Sequence, residues 1–269
     1  MRALEAALGR VTGARLRPGR RARLVAEVEA WLADGGVAFE ELLARVERGG
    51  PEQDWLVGLA TVHRTEFFRE PEALVRVRDE LLEQLAAAGA RSVRLWSAGC
   101  ASGEEAYSLA LACAEKAGKL GLELEVLGTD IDVGSLERAR LGIYAEEALR
   151  KVAPELAERW FVRGRGRSDG LVRVREELRR RVRFERLNLI GPAWVVPGPF
   201  DAIFCRNVAI YFAAATGAQV LERLHGELAP HGWLALGSAE SARALPRHFE
   251  ELGESVWRRA EPAALRKSA

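Results

Sequence analysis

Long apolar runs are missing from this 269-residue chain. No segment approaches the roughly 18–20 consecutive apolar residues that cross a bilayer, so membrane insertion is not expected. The N-terminal stretch MRALEAALGRVTGARLRPGRRAR also lacks the apolar core of a signal peptide, which points to a cytoplasmic protein. Cysteine is scarce: Cys100, Cys113 and Cys205 are an odd number, lie far apart and show no CxxC spacing. That argues against a disulfide framework or a thiolate zinc site and for free, buried thiols. The four histidines, His63, His225, His231 and His248, are scattered, and no metal site is expected. An excess of one charge is missing too. Forty basic residues against thirty-nine acidic ones leave a net charge of +1, so no global field favours nucleic acid or an anionic membrane. Aromatic content of 7% leaves little for base stacking. What remains, at 48% hydrophobic residues, is enough for one large α/β domain and a small helical one.

Apolar residues from Arg20 to about Glu47 fall at helical spacing (Leu24, Val25, Val28, Trp31 and Leu32, then Phe39, Leu42, Leu43 and Val46) and predict two amphipathic helices. Gly49-Gly50-Pro51 ends the second and starts a third, with Trp55, Leu56, Leu59 and Val62. A helical N-terminal domain over 1–70 is expected, then a linker helix over 71–88 carrying Leu74, Val77, Leu81, Leu82 and Leu85. Beyond Gly89 short apolar runs alternate with helical patterns, the signature of βαβ units on a parallel sheet. Strands are expected at 93–97, 124–129, 182–187, 201–205 and 232–237. Within this second domain, 71–269, the segment WFVRGRGRSDGLVRVREEL predicts a β-hairpin in an antiparallel insert of about 145–181. Gly164, Gly166 and Gly170 would permit its turn by left-handed backbone, and Val172 and Val174 alternate with Arg173 and Arg175 as in a strand covered on one face. The tail FEELGESVWRRA can supply a final edge strand or hairpin.

The stretch VRLWSAGCASGEEAYSLALACA runs from a strand through a small-residue turn, Gly99 to Gly103, into a helix. Such a turn lets a ligand approach the backbone. Glu104 and Glu105 in the helix's first turn are poor neighbours for a pyrophosphate. They suit hydroxyls and positive charge, as on the ribose, amino group and sulfonium of S-adenosylmethionine. Neither a GxGxxG nor a GxxxxGK pattern occurs. Asp130, at the tip of the next strand, stands where nucleoside-binding α/β folds hold ribose hydroxyls. Capping of the helix beginning at Val133 is the alternative for Asp130 or Asp132. The run FDAIFCRNVAIYF delivers Arg206, Asn207 and Tyr211 to the carboxyl edge of the sheet. There Asn207 can contact a ligand or cap a turn, and Tyr211 can contact a ligand or pack.

The segments TEFFRE, SAGCASGEEAYSLA, GTDIDVGSLERARLGIY, RFERLNL and FDAIFCRNVAIYF, in this order, resemble the chemoreceptor glutamate methyltransferases, the CheR family. The resemblance runs from about Thr65 to Ser238. It implies a Rossmann-like, class I S-adenosylmethionine-dependent methyltransferase domain with a small antiparallel β-subdomain insert and an N-terminal helical domain. It implies cofactor contacts from Thr65, Arg69, Glu105, Asp130, Asn188, Leu189, Arg206 and Asn207, to which the turn at Gly99 is added. It also places Arg69 and Tyr211 nearest the transferred methyl. Ala106 stands where the family often has Pro, and His63 where some members have an Asn near the cofactor, so that contact is not carried over.

The implied reaction forms glutamate methyl esters and leaves S-adenosylhomocysteine. A glutamate carboxyl in water titrates at about 4.3 and is already ionised at neutral pH, so no general base is required. Removing water from the carboxylate–sulfonium pair and aligning it should carry most of the rate. Arg69 can hold a carboxylate by a bidentate pair, or be an ordinary ion pair; Phe67 and Phe68 beside it suggest a half-buried wall. The expected partner is the cytoplasmic helical bundle of chemoreceptors. A C-terminal receptor pentapeptide is a further candidate, bound at the β-subdomain by strand addition, as in some family members. A monomer is expected. Six arginines between Glu5 and Glu27 could steer an acidic partner or form a solvated face, since only four of the forty basic residues are lysine and arginine clusters arise readily in such a chain. A nucleic-acid methyltransferase would want a more basic chain, and a non-catalytic module would have lost Arg69, Asp130 or Tyr211.

Overall fold

The computed structural model describes residues 1–13, 16, 18–35, 37–61, 64–238, 240 and 249–260; Arg15, Arg17, Val62, His63 and His248 lie outside them. Four helices come first: α1 (Arg2–Thr12), α2 (Pro18–Gly35), α3 (Phe39–Arg48) and α4 (Pro51–Ala60). Patterning anticipates the last three. Pro51 opens α4, where its missing N–H forfeits no helical bond. Helix α1 is an addition, although Leu4, Ala7 and Leu8 fall at helical spacing and Gly13 closes the helix at φ 67°. Leu4, Leu8, Leu24, Val28, Leu42, Val46 and Leu56 form one apolar cluster.

Helix α5 (Glu72–Arg76), a π-helical turn (Val77–Leu81) and α6 (Leu82–Ala87) follow without a break. Next come β1 (Ser92–Ala98), α7 (Glu104–Lys119), β2 (Glu123–Asp130) and α8 (Val133–Leu141). Strand β3 (Ile143–Ala145), α9 (Pro154–Trp160), β4 (Phe161–Arg163), β5 (Leu171–Val174) and α10 (Glu176–Arg179) make up the inserted region. The chain closes with β6 (Val182–Arg186), β7 (Phe200–Cys205), α11 (Ala214–Glu227), β8 (Leu228–Leu236), β9 (Phe249–Gly253) and β10 (Val256–Arg259).

The main sheet has the order β6-β2-β1-β7-β8-β10-β9. The first five strands are parallel, and β10 is antiparallel to both its neighbours. Parallel strands covered on both faces read as continuous apolar runs, as in β1, β2, β7 and β8, whereas the edge strand β6 alternates buried Val182 and Phe184 with exposed Arg183. Strand β8 starts earlier than expected, at Leu228. The tail forms the hairpin that was one of its two expected outcomes, and it turns at Glu254-Ser255 with φ 55° and 59°. Two left-handed residues suit a tight hairpin, but sequences that make one usually carry Asn-Gly, so the turn was not legible.

The smaller sheet has the order β3-β5-β4 and is antiparallel. The expected hairpin is β4–β5, and Val172 and Val174 are buried while Leu171 and Arg173 are exposed. Gly166 and Gly170 take positive φ as anticipated. Gly164 has another reason: a Cβ there would lie 1.9 Å from the Ser168 carbonyl oxygen. Strand β3, only three residues long, was not foreseen.

Candidate active site

The sheet grows outward from β1 in both directions, first to β2 and β6 and later to β7 and β8. The crevice where the direction reverses, at the carboxyl ends of β1 and β7, is the usual ligand site of such sheets. A cavity of about 450 Å³ opens there. Thr65, Arg69, Gly99, Glu105, Asp130, Asn188, Leu189, Arg206, Asn207 and Tyr211 all line it, so the structure brings every sequence-predicted site residue together. Thr12, Arg20, Thr61, Arg64, Val208 and Phe212 are also part of the wall. A second cavity of about 470 Å³ lies at the opposite, amino end of the strands. Its charges include locally matched ones such as Arg94–Glu125 at 3.4 Å, and none of the expected site residues lines it.

Close approach explains the glycines of the turn after β1. A Cβ on Gly99, at φ 87°, would sit 2.5 Å from Val208 Cγ2, and one on Gly103, at φ 94°, would sit 2.8 Å from Ala139 Cβ. Asp130 Oδ2 accepts the Ala101 N–H at 2.8 Å, and its Oδ1 accepts the Asp132 N–H at 2.9 Å. The carboxylate therefore ties the end of β2 to the glycine turn. Capping falls to Asp132, which accepts from Gly134 and Ser135 at the start of α8.

Glu105 and Arg206 form a buried pair at 2.8 Å, their side chains 13% and 2% exposed. The second Glu105 oxygen accepts from Ser97 Oγ at 2.7 Å. The Arg206 guanidinium also donates to the carbonyls of Arg69 and Glu70, at 2.7 Å for Glu70. One planar fork thus fixes the segment 64–70 against the sheet. That segment is strained, with Phe68 at φ 51° and Glu70 at φ 45°. It is held at several further points. The Phe68 N–H donates to Ser108 Oγ at 2.9 Å, Glu70 Oε2 accepts from the Ser238 N–H at 3.0 Å, and Glu66 accepts from Arg150 and Lys151. The Lys151 ammonium, the larger influence, and Arg150 hold the Glu66 carboxyl below its ordinary value.

The expected half-buried wall is met by Phe68 alone. Phe67 is fully buried, edge-on to Tyr144 at 5.0 Å and to Phe161 at 5.6 Å, and so joins the segment to the smaller sheet. Arg69 is half-buried, donates to the Arg64 carbonyl at 3.0 Å and stands 3.8 Å from the Glu70 carboxylate. Asn188 donates to the Val11 carbonyl at 2.7 Å and accepts from Ile190, so it also docks α1. Among the basic residues of the N-terminal run, Arg10, Arg21 and Arg23 pair with Glu47, Glu5 and Glu27, as a solvated face does, whereas Arg20 lies on the cavity and donates to the Thr61 carbonyl.

Sequence reasoning missed Glu240. Its buried carboxylate accepts from the backbone N–H groups of Asn207, Val208, Ala209 and Gly237. Burial pushes this carboxyl above its ordinary value while the four donors pull the other way. An acidic residue just past an apolar strand was the available signal, but nothing local distinguishes it from a surface glutamate. Cys100, Cys113 and Cys205 are free and buried, and burial raises each thiol, that of Cys113 to about 12. Among the described residues, no helix is long and apolar enough to cross a membrane.

Comparison with known proteins identifies the family. Residues 63–257 match the family model "CheR methyltransferase, SAM binding domain". The chemotaxis protein methyltransferase of Escherichia coli is 41% identical over 219 residues, covering 81% of this chain and 74% of its own. Chemotaxis protein methyltransferase 2 of Pseudomonas aeruginosa is 36% identical over 220 residues, covering 82% and 78%. Among solved structures, the N-methyltransferase NodS from Bradyrhizobium japonicum in complex with S-adenosyl-l-homocysteine covers 70% of this chain and 88% of its own at 16% identity. Its TM-score of 0.40 marks a likeness too loose to bear on function. Family model and relatives agree over most of the sequence, and the chain belongs to the CheR methyltransferase family.

Proposed function

We propose that this protein transfers a methyl group from S-adenosylmethionine to glutamate side-chain carboxylates of chemoreceptors, and that the cavity at the carboxyl ends of β1 and β7 is where it does so. The observation that supports this best is the convergence of all ten residues on one cavity at the sheet's switch point. Its size suits a nucleoside-sized ligand. Asp130 is assigned to the ribose hydroxyls; a carboxylate has room for about four hydrogen bonds, so its backbone partners do not preclude this role. Thr65, Gly99, Glu105, Asn188, Leu189, Arg206 and Asn207 form the remaining cofactor walls, with Glu105 and Arg206 neutralising each other so that the floor adds no net charge.

When bound, S-adenosylmethionine supplies an electrophilic methyl on a sulfonium. The substrate carboxylate is ionised at neutral pH and needs no base, which accords with a cavity wall that has no His or Cys among the described residues. Arg69 orients a carboxylate, that of the substrate or of the cofactor, and Tyr211 aims the attacking oxygen by donating its O–H. The helices over 1–70 and the apolar walls exclude water, which strengthens each of these contacts. The remaining assignments are a catalytic domain of 71–269 with a linker helix at 71–88 and an insert of about 145–181, a monomer in the cytoplasm, and docking on the receptor's helical bundle. The insert is assigned a second task, strand addition of a receptor C-terminal pentapeptide at an outer edge of the β3-β5-β4 sheet.

Tritium transfer from labelled S-adenosylmethionine to receptor-rich membranes, followed by alkaline release of volatile methanol, tests the reaction. Methanol is expected from a carboxyl ester; alkali-stable label would overturn the reading. Titration with receptor pentapeptides tests the insert, and no binding at millimolar peptide would leave it structural.

A further inference from the structure

The turn that carries Asn207 and Tyr211 is organised by a residue that does not line the cavity. Glu240 Oε1 accepts from the Val208 N–H at 2.9 Å and the Ala209 N–H at 2.8 Å, while Oε2 accepts from the Asn207 N–H at 2.9 Å and from Gly237. These are main-chain donors of one turn, in which Asn207 is held at φ 59°, and of the end of β8. Around the carboxylate there is no room: a Cβ on Gly237 would lie 2.6 Å from Asn207 Nδ2 and 2.9 Å from Glu240 Oε2. Val208, inside the same turn, packs against Gly99, so its position also sets the wall across from it.

We infer that Glu240 is a positioning residue for methyl transfer, a fixed internal anion that holds the turn 206–209 and thereby places Asn207 and Tyr211 in the cavity. The physical reason is that main-chain N–H groups converging on one point repel each other unless an anion sits among them. A left-handed non-glycine backbone costs about 1–3 kcal/mol and persists only where the surroundings impose it. A carboxylate is the one side chain that can accept from all four donors at once. Glutamine has the same shape but turns an NH₂ group towards two of them, whichever way its amide is placed.

The inference rests on the cavity being the S-adenosylmethionine site, and the test separates the two. Wild type and Glu240→Gln are compared by calorimetric binding of S-adenosylhomocysteine and by steady-state methylation of receptor membranes, well below both melting temperatures. Expected in the variant are KM for S-adenosylmethionine and the product's Kd raised about 10-fold, kcat lowered about 10-fold or more, and KM for receptor unchanged. A merely structural role would lower the melting temperature and leave these constants as they are, which overturns the proposal. Should Glu240→Gln not accumulate as folded protein, Glu240→Asp keeps the charge but draws the carboxylate back from its four donors. The same split in constants is expected from it, and wild-type constants would again overturn the proposal. A wild type that fails to bind S-adenosylhomocysteine would overturn the cofactor reading itself and this inference with it.

Discussion

Replacing Arg206 with Met removes one guanidinium and three contacts: the pair to Glu105 at 2.8 Å, the bond to the Glu70 carbonyl at 2.7 Å and the bond to the Arg69 carbonyl. Glu105 would keep its bond from Ser97. Because the two side chains are 2% and 13% exposed, solvent screens the pair little, and breaking such a pair from one side costs about 3–5 kcal/mol. For a chain of this size each kcal/mol shifts the melting temperature by about 2–4 °C, which gives a fall of about 6–20 °C in scanning calorimetry. The double variant Arg206→Met/Glu105→Gln should recover at least half of that loss, since the charge left unpaired is then gone. Binding of S-adenosylhomocysteine should not recover with it, because the carbonyls of Arg69 and Glu70 would still lack their donor. A melting temperature within about 2 °C of wild type, or strictly additive single-variant effects, would refute the buried-pair argument.

Three further outcomes follow from the same geometry. Asp130→Ala should weaken S-adenosylmethionine binding by about 1–3 kcal/mol in calorimetry with the far-ultraviolet dichroism preserved; an unchanged dissociation constant would confine Asp130 to bracing the glycine turn. Arg69→Ala should cut methylation severely, and Tyr211→Phe less so, at near-wild-type stability; normal turnover in the Arg69 variant would remove it from the methyl-transfer step. The raised thiols of Cys100, Cys113 and Cys205 should stay protonated and inaccessible at about pH 8, so a thiol reagent should label none in native protein and all three in denaturant. Rapid native labelling would contradict the packing around β1, α7 and β7.

Part of the cavity wall was legible in the sequence for local reasons, while Thr65, Arg69, Asn188 and Leu189 came from the family resemblance alone. Strands buried on both faces are apolar through their central residues, so β1, β2, β7 and β8 announced themselves, edge strand β6 showed as an alternation, and their order with the intervening helices specified a parallel sheet. Gly99, Asp130, Arg206 and Asn207 were readable because each ends a strand at the edge where such sheets bind ligands. Three-residue β3 escaped because so short a segment carries no period, and the Glu254-Ser255 turn because its residues are not those that left-handed backbone prefers. Side-chain partnership could not be read at all. Nothing near Glu105 in sequence says that its carboxylate meets Arg206, and nothing near Glu240 says that it meets four backbone donors. Nor does the chain around Asn188 disclose that it docks the end of α1. Hydrophobic period and turn chemistry are encoded within a few residues and survive in a linear reading. The pairing of buried charges is different: it depends on which segments the sheet order brings within about 3 Å of one another, and only the folded chain decides that.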